Sequence, residues 1–215
     1  MSLQKYEIKN RRVLDLLEKF RYTYREVYCP EETNISLSPD QKDMADHYTS
    51  DEEMNRIMAM GEGHDGAASN AYSFALKPEF YKGEDALTYK RVWSSLDEEM
   101  KTELGLRHSA LSQLYPPKGF IGWHNNANAA AHNLIFTWSE TGDGWFKYVD
   151  PKTSEVITIQ DEKGWNLKAG YFGAYGSDDV VYHAARTDCY RMTLSYVMAH
   201  DENYWKDCVD YVTQM

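Results

Sequence analysis

The sequence predicts an α+β fold, with amphipathic helices in front and a β body of sandwich or jelly-roll type behind. Three observations predict it. Apolar residues recur at helical spacing near the N-terminus. After Leu114 the chain breaks into short β-branched or aromatic runs separated by Gly, Asp, Asn or Pro. No internal repeat or low-complexity linker divides the two parts. The expected organisation is one domain over residues 1–215, mainly helical over 1–113, with a jelly-roll core over 114–200 and a closing helix over 201–215.

From Arg11 to Val27 the residues Val13, Leu14, Leu16, Leu17, Phe20, Tyr24 and Val27 form the stripe of a packed helix, ended by "CPEET", where Pro30 has no N–H to donate. A second helix is expected from about Pro39 to Tyr48. A third spans "SDEEMNRIMAM", with Ser50 as cap and Glu53 at the capping-box position. "GEGHDGAASN" reads as a loop, a lid or cleft edge, because it lacks the spacing of a phosphate loop. "SSLDEEMKTELGL" marks a fourth helix, with Ser95 and Glu98 as a capping box and Gly105 as its stop. Then "FIGWH", "HNLIFTW", "GWFKYVD", "EVITIQD", "WNLKAGYFG", "DVVYHA" and "YRMTLSYVM" read as antiparallel strands, and "DENYWKDCVDYVTQM" as the closing helix.

Composition excludes several classes. With 42% hydrophobic and 14% aromatic residues the chain can bury a core, so disorder is not expected. A net charge of −11 argues against a nucleic-acid partner, whose phosphates are held by concentrated Lys and Arg. No apolar run approaches the ~20 residues of a membrane helix, and the N-terminus is charged throughout, so a soluble, cytoplasmic protein with no membrane partner is expected. Cys29, Cys189 and Cys208 are too few and scattered for a disulfide framework and read as reduced thiols.

The chemistry-bearing residues lie in the β part. His124 and His183 end separate strands far apart in sequence, so only the fold can bring them together. Arg191 and Thr193 share one side of a strand. An inward guanidinium calls for an anion, and its planar fork suits a carboxylate. Taken singly, His124 also reads as a strand-end histidine bonded to backbone, and Arg191 as a surface residue paired with Asp188 or Glu202. His132 reads as a solvated turn residue outside any metal site.

"YPPKGFIGWHNN", "HNLIFTW", "GWFKYVDP" and "VVYHAARTDCYRMTLSY", in that order, resemble the core of the Fe(II)/2-oxoglutarate-dependent oxygenases over roughly residues 114–198. The likeness is to small prolyl-hydroxylase-like members of the viral and marine bacterial type. It implies a double-stranded β-helix and iron ligands at His124, Asn126 and His183. It also implies a 2-oxoglutarate site at Arg191 and Thr193, with Asn133 near the chelating end and a hydroxyl from Tyr115. The reaction implied is hydroxylation of a small-molecule or peptidyl substrate, an amino-acid side chain above all, with consumption of dioxygen and release of succinate and CO2.

One position departs from the pattern: Asn126 stands where the family has a carboxylate, giving HxN in place of HxD. A neutral amide is the weaker donor to a hard cation. Three readings stay open: the amide ligates, the position is vacant and a halide fills it, or the metal site is degenerate. Vacancy ranks lowest, since Asn is bulkier than the small residue that opens such a gap. The alternative function is a non-catalytic jelly-roll binding protein with a degenerate metal site. A cupin-like protein fits less well, because cupins cluster more histidines than "GWHNN" offers.

Overall fold

The computed structural model describes residues 3–23, 44–60, 67–73, 84–198 and 201–214. It is a mixed α/β structure built on two antiparallel sheets. Eight strands form the body: β4 (His108–Tyr115), β5 (Phe120–His124), β6 (Ala131–Ser139), β7 (Gly144–Val149), β8 (Val156–Gln160), β9 (Gly164–Phe172), β10 (His183–Thr187) and β11 (Arg191–Met198). Three short strands of the first half join them: β1 (Gln4–Tyr6), β2 (Ser69–Asn70) and β3 (Tyr72–Ser73). One sheet runs β1-β9-β6-β11-β4-β3 and the other β2-β5-β10-β7-β8.

The first half is therefore not helical alone. Its strands extend both sheets, and the β body starts at His108, ahead of the expected boundary. The reason lies in composition: "HSALSQLY" mixes His, Ser and Gln with its apolar residues, and its first half alternates exposed and half-buried positions, so it offers no apolar run to read. Residues 179–182, expected in a strand, stand largely apart from the ladders, with one isolated bridge between Gly173 and Val180.

Three of the described helices start at a side-chain cap. Helix α1 (Arg11–Tyr22) starts at Asn10, whose side chain accepts from the amides of Arg12 and Val13. Helix α2 spans Ala45–Tyr48, and α3 (Asp51–Ala59) starts at Ser50, whose hydroxyl accepts from the Glu53 amide at 3.1 Å. The Glu53 carboxylate completes no capping box and pairs instead with Arg56. Helix α4 runs Glu84–Glu103, so Ser95 lies inside it and caps nothing; the strong helix formers upstream extend it. Gly105 stops it at φ +62°, a left-handed conformation that favours glycine. Helix α5 (Glu202–Thr213) is capped by Asp201. The expected end of the first helix, "CPEET" with Cys29, the start of the second helix and residues 61–66 of the glycine-rich loop lie outside the described residues. Cys189 and Cys208 are buried free thiols.

Period-two alternation sorts the long sheet into two faces. On β11, Met192, Leu194, Tyr196 and Met198 join the apolar core that includes Val13, Leu17 and Phe20 of α1, Met100 of α4 and Trp205 and Val212 of α5. Each large apolar side chain buried there contributes about 1.5–3 kcal/mol. Arg191, Thr193 and Ser195 face the other way, toward the second sheet. There Ile135, Phe146, Phe172 and Ala185 form a smaller core. The outer face of the second sheet packs Trp123, Tyr182 and Ala184 with Ile57 of α3. No described helix is long and apolar enough to cross a membrane.

Candidate functional site

A cavity of about 500 Å³ lies between the sheets. His124, Asn126, His183, Tyr115, Asn133, Arg191 and Thr193 all line it, so the fold brings together the residues singled out in sequence.

Antiparallel pairing of β5 with β10 sets His183 directly opposite His124, and the two imidazole centroids lie 4.1 Å apart. The register then shifts: Ala185 opposes Ile121, so β5 uses one extra residue over this stretch. In an unbroken strand Ile121 and His124 point to opposite faces; here both line the cavity, while Trp123 packs outward. Gly122 sits within the irregularity, and a Cβ there would lie 3.1 Å from both the Cβ and the carbonyl oxygen of Tyr48.

Both rings are oriented alike. Nδ1 of His124 stands 2.8 Å from the Gly122 carbonyl oxygen, and Nδ1 of His183 stands 3.1 Å from that of Val181. A carbonyl only accepts, so each Nδ1 carries a proton and each ring turns Nε2 the other way. Phe146 and Phe172 pack on His183 with centroids 5.5 and 5.0 Å away. Asn126 is half-buried in the turn after β5, which is set by an Asx bond from the Ala127 amide to Asn125 at 2.8 Å. Among the described residues no three His, Cys, Asp or Glu side chains converge as a metal-binding group.

The far end is built around Arg191, which is 1% exposed. Its Nε donates to Asp161 Oδ2 at 2.8 Å and its Nη1 to Thr193 Oγ1 at 2.7 Å, while Cζ sits 5.1 Å from the centroid of the Tyr115 ring. Nη2 is buried with no hydrogen-bond partner among the described residues. The surface pairing with Asp188 or Glu202 is thus replaced by a buried one with Asp161. Lys168, fully buried on β9, donates to the other Asp161 oxygen at 2.8 Å and to Asn166 Oδ1 at 2.9 Å. Burial raises the Asp161 pKa, but Arg191 and Lys168 outweigh it and hold the carboxyl below its usual range. Burial is the largest influence on Lys168 too; with Arg191 adding to it, the ammonium falls to about 8 against the pull of Asp161.

Tyr115 ends β4 and donates to Gln113 Oε1 at 2.7 Å. Asn133 on β6 donates to the Ala131 carbonyl at 3.1 Å. His132 is not a solvated turn residue: it is buried in β6, packed by Tyr171 and Trp205 at 4.9 and 5.3 Å, on the face turned toward α5 and away from the cavity. Asp161 and Lys168 were not visible as site residues in the sequence. The available signal was Lys168 itself, a charge inside the run "WNLKAGYFG" whose neighbours Leu167 and Ala169 are core.

No protein-family model matches the chain, and no curated protein sequence does either. Among solved structures, a prolyl-4-hydroxylase of Pseudomonas putida aligns over 93% of this chain and 92% of its own at 12% identity and TM-score 0.42. A dioxygenase for auxin oxidation from rice aligns over 88% and 70% at 13% and 0.34. A ribosomal oxygenase from Escherichia coli aligns over 81% and 48% at 13% and 0.35. At such identities and scores the assignment of chemistry rests on the residues themselves.

Proposed function

We propose that this cavity is the active site of an Fe(II)- and 2-oxoglutarate-dependent oxygenase. It would hydroxylate an amino-acid or peptidyl side chain and release succinate and CO2. The observation that carries the reading is one cavity with two differently equipped ends, paired imidazoles at one and, at the other, a buried guanidinium whose Nη2 has no partner among the described residues.

The strand orders support a double-stranded β-helix. Strands β9-β6-β11-β4 and β5-β10-β7-β8 form facing four-stranded arrays, and successive strands change sheet at most steps. The donor set fits the metal. Two imidazoles line the cavity with Nδ1 turned to backbone carbonyls, and imidazole suits iron; Asn126 lines the same space with an amide that would serve as third ligand. The Arg191 end fits the cosubstrate, because an orphaned guanidinium nitrogen beside the Thr193 hydroxyl can receive a carboxylate. Iron and 2-oxoglutarate, when bound, supply the oxidising chemistry. The chain's own residues do the rest. Gly122 and Val181 fix the imidazoles by their carbonyls, Arg191 and Thr193 set the dicarboxylate's position, and Ile135, Phe146 and Phe172 keep water from the reacting centre.

Anaerobic addition of Fe(II) and 2-oxoglutarate is expected to give the weak visible charge-transfer band of the chelate, and succinate on admitting air with substrate present. Absence of the band would favour the non-catalytic binding protein, with Asn126 as the cause.

A further inference from the structure

The Arg191 end holds more charge than a carboxylate receptor needs. An Arg191–Asp161 pair alone would be neutral, yet Lys168 shares the same carboxylate, and all three side chains are at most 1% exposed. Lys5, opposite Lys168 in the β1–β9 register, pairs with Glu162 and leaves the sum unchanged. The cluster therefore carries one uncompensated positive charge on buried side chains, where such a charge is costly unless an anion meets it. A second observation points the same way. Thr193, Thr137 and Asn166 form one row across β11, β6 and β9, and Thr137 Oγ1 and Asn166 Nδ2 are, like Arg191 Nη2, buried without partners among the described residues. Two of these orphans are N–H donors, and the Thr193 hydroxyl, which accepts from Arg191, still has a proton to give.

Building on the oxygenase reading, we propose that Lys168 and Asp161 are positioning residues of the cosubstrate site. Asp161 clamps Arg191 through Nε so that Nη2 is left for the ligand, and Lys168 restores the positive charge that Asp161 cancels, so the site accepts a single carboxylate. Neither residue needs to touch the ligand.

The charge count makes the test specific. Glutarate, which lacks the chelating keto acid, is titrated calorimetrically without metal into wild-type protein, Lys168→Met, Lys168→Arg and the double variant Lys168→Met/Asp161→Asn. Each protein is also melted. Lys168→Met makes the site neutral and is expected to weaken glutarate at least about tenfold, with a melting temperature equal to or above that of wild type. Lys168→Arg and the double variant both return the net charge to +1 and are expected to bind within roughly threefold of wild type. Should Lys168→Met fail to fold, the other two variants carry the test, and loss of binding in both would contradict the charge count. A folded Lys168→Met that binds glutarate like wild type would reduce Lys168 to a structural role, as would a wild-type protein that binds no glutarate.

Fe(II) and 2-oxoglutarate are titrated separately under anaerobic conditions. A Lys168-dependent glutarate site with no Fe(II) chelate would keep this inference and remove the oxygenase reading. A chelate of equal strength in wild type and Lys168→Met would do the reverse.

Discussion

The histidine end of the cavity is assembled from strand ends, His124 half-buried at the close of β5 and His183 at the start of β10, whereas the Arg191 end lies within charged side chains that have lost essentially all exposure. At the first end, backbone carbonyls orient the two rings through Nδ1. At the second, three full charges are held in place by one another before any ligand arrives. The contrast separates two ways of preparing a site. The histidine end is held by backbone carbonyls and ring packing, while the arginine end is held by buried charges that the fold must stabilise, so changes there mix affinity with stability.

Substitutions can break that contrast. The largest effect is expected from Asp161→Ala, which leaves Arg191 and Lys168 buried without an anion and should cost about 3–5 kcal/mol, read by chemical denaturation. A loss below 1 kcal/mol would mean the cluster is hydrated and the contrast false. Next comes His183→Ala, which should abolish the Fe(II)/2-oxoglutarate band while costing about 1–3 kcal/mol, the lost packing of a buried ring against Phe146 and Phe172. Thr193→Val removes the acceptor of Arg191 Nη1 and should cost about 1–3 kcal/mol, with weaker 2-oxoglutarate binding in the same variant. Asn126→Asp restores a carboxylate beside the two histidines and is expected to tighten Fe(II) by roughly tenfold, about 1.4 kcal/mol. Unchanged affinity would place that side chain away from the metal.

The smallest effect is a pH dependence. Lys168 is lowered in the fold to about 8 from its ordinary 10.5, so between those values the unfolded chain holds the extra proton. Stability supplied by this group is thus present above that window, rises with pH across it, and is lost as pH falls through the folded value. Denaturation midpoints measured from pH 8 to 10 should show the rise, and Lys168→Met should flatten it.

The strands of the second half were legible because their apolar runs are short and punctuated, and Arg191 with Thr193 was legible because alternation puts them on one face. His124 was legible as a residue but not as a direction, since its aim depends on a register shift that no local pattern announces. Asp161 was hidden for a different reason. A charged residue just after "VITIQ" looks like a solvated turn, and only the pairing of distant strands shows Lys168 and Arg191 closing over it. Strand β4 was hidden by half-exposed polar residues. His132 misled because burial by α5 is a tertiary contact.

The most direct measurement is an anaerobic crystal structure with Mn(II) as a redox-inert substitute for iron and with 2-oxoglutarate. The predicted result is the metal on Nε2 of His124 and His183, with the far carboxylate of 2-oxoglutarate at Nη2 of Arg191 and the Thr193 hydroxyl. Metal bound elsewhere, or a dicarboxylate that leaves Nη2 of Arg191 without a partner, would contradict it.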